Sequence, residues 1–146
     1  MKLLFRTPLP QPVKAVAKKF DRHLFDYLTP AWASVKTVRF DGCNVGDEIH
    51  LLMKLGGIPQ EWVSVITETR DEPQEWAFVD EGKILPWPLK GWRHQHRILR
   101  TGEFRCEVID DITYECATPA LEKMIYPLLW VTFSMRPGRY KKYFRN

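Results

Sequence analysis

Apolar and polar residues alternate along much of the chain after residue 34, a pattern typical of strands that bury one face. In the segment 48–55, for example, Ile49, Leu51, Met53 and Leu55 fall on one side. Glycine, proline and acidic residues mark the turns between such segments. The strands predicted in this way are 2–7, 35–40, 48–55, 62–70, 74–79, 92–100 and 104–116.

Two stretches have helical spacing instead. One or two short helices are predicted between Pro12 and Leu28, and a long helix is predicted from Pro119. Pro127 is expected to bend the long helix, and Pro137-Gly138 to end or kink it. The order of elements predicts an α+β fold in one domain, residues 1–146, with a curved antiparallel sheet of about six or seven strands around the C-terminal helix. The apolar stripe of that helix comprises Leu121, Met124, Ile125, Leu128, Leu129, Thr132 and Phe133.

The last hairpin suggests which side chains point inward. With a three-residue loop, Thr101-Gly102-Glu103, its predicted pairs are Ile98 with Cys106, His96 with Val108, His94 with Asp110, Trp92 with Ile112, Arg97 with Glu107 and Arg93 with Asp111. This register separates an aromatic and aliphatic face from a face of opposite charges. The predicted inward set is Trp92, His94, His96, Ile98, Phe104, Cys106, Val108, Asp110, Ile112 and Tyr114.

The earlier hairpin adds a second inner surface. A turn centred on Glu72 places six residues on one face, namely Trp62, Ser64, Ile66, Trp76, Phe78 and Asp80. This surface is rich in aromatic side chains and has one carboxylate near the end of its strand. Together with the last hairpin and the terminal helix, it predicts an apolar cavity.

His94, His96 and Asp110 are polar groups on this apolar face, so they need partners. They form either a hydrogen-bonded structural pair or a cluster that orients a ligand. Two further hypotheses are a metal site completed by Asp110 or Cys106, and a general base, His94, oriented by Asp110 with Tyr114 as an oxyanion donor. We expect no metal and assign no catalytic residue. The expected ligand-binding set has a polar part, His94, His96, Asp110 and Tyr114, and an apolar part, Trp62, Trp76, Phe78, Trp92, Phe104, Met124 and Leu128.

Composition and charge narrow the function classes. The chain has 146 residues, of which 45% are hydrophobic and 27% charged, as in ordinary globular proteins, and its net charge is +4. Three cysteines without CxxC spacing argue against a disulfide framework or a cysteine zinc site. No signal peptide, membrane span, nucleic-acid motif or cofactor is indicated, so a cytoplasmic location is expected. The basic residues near the end are expected to form a solvated face: Arg136, Arg139, Lys141, Lys142 and Arg145.

Several motifs resemble one family. They are Phe78-x-Asp80, Gly91-Trp92-x-His94-x-His96, Asp110-x-x-x-Tyr114, Pro119 and Phe133-x-x-Arg136. Together with the order of elements, they resemble the START/Bet v 1-like (SRPBCC) superfamily with its helix-grip fold, and in particular an uncharacterised bacterial subgroup. The chain departs from that subgroup at Pro88-Leu89-Lys90-Gly91, where Gly-Pro-Phe is usual.

The resemblance implies a carrier or an enzyme, because the superfamily includes lipid and hormone carriers and aromatase/cyclases. The expected function is binding of a small hydrophobic, lipid-like or aromatic ligand in an internal cavity. Two alternatives stay open: a cyclase- or hydrolase-type enzyme that uses the His94–Asp110 pair, and a protein-interaction module with a filled core. A homodimer and a lid role for the apolar segment 84–89 also stay open.

Overall fold

The structure is a computed structural model that describes residues 1–145. Within this range the chain forms seven strands, four α-helices and a short 3₁₀ turn at Ala31–Ala33. In chain order the elements are β1 (Lys2–Leu9), α1 (Val13–Ala17), α2 (Arg22–Leu28), β2 (Val35–Phe40), β3 (Glu48–Leu55), β4 (Ile58–Asp71), β5 (Glu75–Ile84), β6 (Leu89–Gly102), β7 (Arg105–Cys116), α3 (Pro119–Ser134) and α4 (Arg136–Tyr143).

All seven strands form one antiparallel sheet in the order β1-β7-β6-β5-β4-β3-β2. Strands β2 to β7 are neighbours in the order of the chain, whereas the first strand, β1, pairs with the last strand, β7. The pairing of β4 with β5 shifts register between Val63 and Ser64 and again between Ile66 and Glu68. Such irregularities bend and twist a strand, so they curve the sheet toward the helices. The predicted α+β architecture is confirmed.

The helices and the sheet enclose two groups of buried side chains. One group lies under α1, α2 and α4 and includes Val16, Leu24, Phe78 and Tyr140. The other joins α3 to β6 and β7 and includes Phe133. Strands β5 and β6 cross the middle of the sheet, where Phe78 and Ile98 pack in the first group and Trp92 packs in the second. Strands β5 and β6 are therefore well placed to hold a binding site between the two groups of buried residues.

The predicted register of the last hairpin is wrong by two residues. The turn is the two-residue Glu103-Phe104, so Gly102 pairs with Arg105. The observed pairs are Ile98 with Val108, His96 with Asp110, His94 with Ile112 and Trp92 with Tyr114. Because side chains alternate with a period of two, a shift of two keeps each residue on its predicted face. The exception is Phe104, which lies in the turn and is 67% exposed, not inward.

The predicted charge pairs within that hairpin are also wrong. Both arginines of the outer face of β6 pair with carboxylates of β4 and β5 instead of β7. Arg97 bonds to Glu75 at 2.6 Å and Arg93 lies 3.3 Å from Glu68, in place of the predicted Glu107 and Asp111. The outer face therefore carries one ion pair between the neighbouring strands β5 and β6 and one that reaches across β5 from β6 to β4.

The C-terminal helix begins at Pro119, as predicted, where the Thr118 hydroxyl accepts a hydrogen bond from the Leu121 amide at 3.2 Å. It is interrupted at Met135, and α4 continues the chain with Pro137 in its first turn. Arg136 does not belong to a solvated basic face, since its side chain is only 13% exposed. Within residues 1–145, no helix combines the length and apolar character needed to cross a bilayer.

Candidate functional site

A cavity of about 330 Å³ lies between the inner face of the sheet and the helices. This volume is near the lower end of the range for small-molecule pockets, which is about 300–1,000 Å³. Most of its wall is apolar and comes from α2, the 3₁₀ turn, β3, β4 and α3. Representative residues of this apolar wall are Leu28, Trp32, Ile49, Leu51, Trp62 and Phe133.

One part of the cavity wall is polar and charged. Asp80 on β5, His94 and His96 on β6, and Arg136 on α4 all line the cavity there. Asp80 lies directly opposite His94 in the β5–β6 pairing, and His96 follows two residues later on the same face. The sheet itself therefore brings the carboxylate and the two imidazoles together, and α4 adds the guanidinium.

Asp110 on β7 holds His94 and Arg136 from behind this wall. His94 Nε2 lies 2.8 Å from Asp110 Oδ1, and Arg136 Nη1 donates to the same oxygen at 3.0 Å. Burial raises the pKa of Asp110, but the Arg136 guanidinium and the hydrogen bond from His94 outweigh that effect and hold it well below its ordinary value. Asp110 is therefore an ionised, fully buried orienting group.

Asp80 is held in a similar way by two donors. His96 Nε2 lies 2.7 Å from Asp80 Oδ2, and Trp92 Nε1 donates to Oδ1 at 3.2 Å. Burial raises the pKa of Asp80, but the hydrogen bond from His96, together with a smaller effect of the Arg136 guanidinium, brings it below its ordinary value. Asp80 is thus also ionised, and it lies at the cavity surface.

The two imidazoles stack on each other, with ring centroids 3.6 Å apart and an interplanar angle of 27°. Burial, together with His94, lowers the pKa of His96 to about 4, so its ring is neutral at pH 7. Its single proton must be on Nε2 if it donates to ionised Asp80. The buried His96 Nδ1 then has no hydrogen-bond partner among the described residues, and Asp110 Oδ1 is 3.8 Å away.

Five of the residues expected to bind a ligand line the cavity: His94, His96, Trp62, Trp92 and Leu128. Asp110 stands behind the polar wall, and the Tyr114 hydroxyl donates to the main-chain oxygen of Glu122 at 2.8 Å. Trp76 and Phe78 pack in the core around Phe20. Phe104 and Met124 are 67% and 59% exposed, respectively. Among the described lining residues, none comes from the segment Ile84–Leu89.

Two charged residues of the site, Asp80 and Arg136, were not in the expected ligand-binding set. Asp80 belonged to the predicted inner surface of the earlier hairpin, but its closeness to the histidines depends on how β5 pairs with β6. Phe133, Arg136 and Tyr140 recur at helical spacing along the C-terminal helices. That spacing on one face is the signal that could have placed Arg136 inward.

Comparison with known proteins identifies the fold. The chain matches no protein-family model and no curated protein. Norcoclaurine synthase from Thalictrum flavum, solved with dopamine and hydroxybenzaldehyde, is similar with a TM-score of 0.65 and 16% identity over 96% of this chain and 85% of that one. An uncharacterised protein from Bacillus thuringiensis matches with a TM-score of 0.67 and 14% identity over 100% of both chains.

A third structure, that of Ara h 8.0201, has a TM-score of 0.57 and 14% identity over 94% of this chain and 95% of that one. The chain therefore has the Bet v 1-like, helix-grip fold, which confirms the fold that the sequence motifs implied. Identities this low define the fold alone. The narrower bacterial subgroup with its W-x-H-x-H strand stays a prediction.

Proposed function

We propose that the protein binds a compact, mainly apolar small molecule, with an aromatic ring as the best-fitting body, in the cavity. The observation that carries this proposal is a cavity of about 330 Å³ whose apolar wall is interrupted at one polar spot. Apolar area supplies affinity, and a few fixed polar groups orient the ligand. Trp62 and Trp92 meet edge to face at the wall, with centroids 4.7 Å apart, which suits contact with another ring.

Half-exposed residues in the cavity wall support access of a ligand from solvent. Trp32 in the 3₁₀ turn and Leu128 on α3 both line the cavity and are each 51% exposed. Both side chains therefore extend from the cavity wall to solvent. The similarity to norcoclaurine synthase, solved with two aromatic compounds, supports an aromatic ligand. The presence of the cavity argues against an interaction module with a filled core.

A larger side chain in the cavity should weaken the binding of an apolar ligand. Leu51 lines it from β3, whereas the next residue, Leu52, points to the other face and is 41% exposed. We expect Leu51→Trp to weaken the binding of the fluorescent probe N-phenyl-naphthylamine by about tenfold or more, a loss of at least about 1.4 kcal/mol. Leu52→Trp, the matched control, should bind as the parent protein does.

Fluorescence titration and thermal unfolding with the probe measure this effect, because a ligand that binds the folded state must raise its melting temperature. Equal binding by both tryptophan variants and the parent protein would show that the cavity is not the binding site. The absence of any melting-temperature rise with apolar aromatic compounds would count against the proposal in the same way.

A second function, proton transfer on the bound molecule, is favoured by one observation. His94 lines the cavity and gives its Nε2–H to ionised Asp110 at 2.8 Å, as a general base does to its orienting carboxylate. The His94 Nδ1 lone pair is then the base. An enzyme of cyclase or hydrolase type could use this pair.

Deuterium exchange into tetralone, a small aromatic ketone, tests this second function because a base in the cavity removes a proton beside the carbonyl. We expect His94→Gln to slow any catalysed exchange by about 100-fold while probe binding is retained. His50→Gln is the control, since His50 pairs with Glu48 away from the cavity. Exchange that His94→Gln leaves unchanged rules out His94 as the base.

A further inference from the structure

We propose that Asp80, His94 and His96 form a binding site for a divalent first-row transition-metal ion in the wall of the cavity. One potential ligand atom from each residue lies within 4.8 Å of the others, and all three residues are buried. The β5–β6 pairing fixes their positions, since Asp80 is directly opposite His94 and His96 lies two residues along the same strand face. Two imidazoles and one carboxylate suit Zn²⁺ or Fe²⁺.

The groups behind these residues are arranged as a metal site requires. Histidines that bind metals usually donate their other ring N–H to a carboxylate, which fixes the tautomer. His94 Nε2 is bonded to Asp110 in this way, which leaves the Nδ1 lone pair 3.9 Å from Asp80 Oδ2. Trp92 donates to the other oxygen of Asp80, so Oδ2 remains as the ligand atom. Arg136 in turn anchors Asp110.

His96 provides an independent reason for the proposal. Its Nε2 is 2.7 Å from Asp80 Oδ2, while its buried Nδ1 has no partner in the part of the chain that the structure describes. A metal ion between Nε2 and Oδ2 would take the place of the proton between them. The ring proton would then be on Nδ1, on the side where Asp110 Oδ1 lies 3.8 Å away. The ring stays neutral, and its Nδ1–H lies on the side of the Asp110 carboxylate, a contact that must shorten before it becomes a hydrogen bond.

The distances need only a small adjustment, although the two stacked imidazole planes must also turn toward a shared ion. Metal–ligand bonds of about 2.0–2.2 Å bring neighbouring ligand atoms to roughly 3–3.5 Å from each other. The present separations, 2.7 Å from Oδ2 to His96 Nε2 and 3.9 Å from Oδ2 to His94 Nδ1, lie on either side of that range. Three protein ligands leave further coordination positions, and these would face the cavity, as in catalytic rather than structural sites.

Cobalt provides a direct test, because Co²⁺ bound by histidine and carboxylate in a site with few ligands absorbs visible light. Untagged, chelator-treated protein should develop this absorption with saturation at one Co²⁺ per chain, and one equivalent of Zn²⁺ should remove it. We expect His96→Gln to abolish the absorption. Trp92→Phe, which frees one oxygen of Asp80, should weaken Co²⁺ binding by about 10–100-fold.

His50→Gln is the control, because His50 with Glu48 is a histidine–carboxylate pair outside the cavity. The proposal is overturned if the parent protein shows no cobalt absorption, or if His96→Gln folds and keeps it. Far-ultraviolet circular dichroism of the same metal-free protein confirms folding, and binding of N-phenyl-naphthylamine to it reports on the cavity separately. Loss of the metal site and loss of ligand binding are therefore distinguishable. A bound ion would also occupy His94 Nδ1, so tetralone exchange by the free base should then fall.

Discussion

Replacement of Arg136 by methionine is expected to lower the free energy of unfolding by about 3–5 kcal/mol, the usual loss when one partner of a buried ion pair is removed. Arg136 donates to Asp110 Oδ1 at 3.0 Å, and the two side chains are only 13% and 2% exposed. Methionine keeps most of the apolar length of the side chain but leaves the buried carboxylate without its guanidinium. Urea-induced unfolding, followed by far-ultraviolet circular dichroism, measures the loss.

Lys142→Met is the matched control for this prediction, because Lys142 is exposed on the same helix. Its effect should stay within about 0.5 kcal/mol. The double variant Asp110→Asn with Arg136→Met should be more stable than the sum of the single effects implies, since no uncompensated charge remains. Equal losses for Arg136→Met and Lys142→Met would show that Arg136 is not paired in the interior.

The order and type of the elements could be predicted because the alternation of apolar residues is strong and the turns are short. Strands β2 and β3 begin and end at the predicted residues. The same period of two explains why the register error in the last hairpin left the predicted inward face nearly unchanged. His94 and His96 remain inward after a shift of two residues. Only Phe104, which moved from strand to turn, changed its environment.

Two partners in the polar site could not be predicted, namely Asp80 for His96 and Arg136 for Asp110. They come from a different strand and a different helix than the hairpin that carries the other member of each pair. The sequence pairs His94 with Asp110 by the wrong register, yet the two side chains still meet diagonally at 2.8 Å. The acceptor for His96 is instead Asp80, across the β5–β6 pairing. Arg136 reaches the same site because α4 packs over the sheet. The helical spacing of Phe133, Arg136 and Tyr140 can place Arg136 on an inward face, but it does not specify which strands that face meets.

The largest expected effect in the core is for Phe78→Ala, which should lower the free energy of unfolding by about 3–5 kcal/mol. Phe78 is 1% exposed, and its ring stacks on His96 with centroids 4.3 Å apart and an interplanar angle of 12°. Trp76 and Phe20 meet it edge to face at 5.4 and 6.3 Å. Alanine would therefore leave a cavity that this rigid aromatic cluster cannot readily close.

Phe104→Ala is the informative control, because the sequence assigned both phenylalanines to the ligand cavity and the structure separates them. Phe104 is 67% exposed in the turn between β6 and β7, so its removal should change stability by no more than about 0.5 kcal/mol. A loss for Phe104→Ala as large as that for Phe78→Ala would place Phe104 inside and contradict the two-residue turn. The pair of variants thus tests, by the same unfolding measurement, the turn and register of β6 and β7 that place His94 near Asp110.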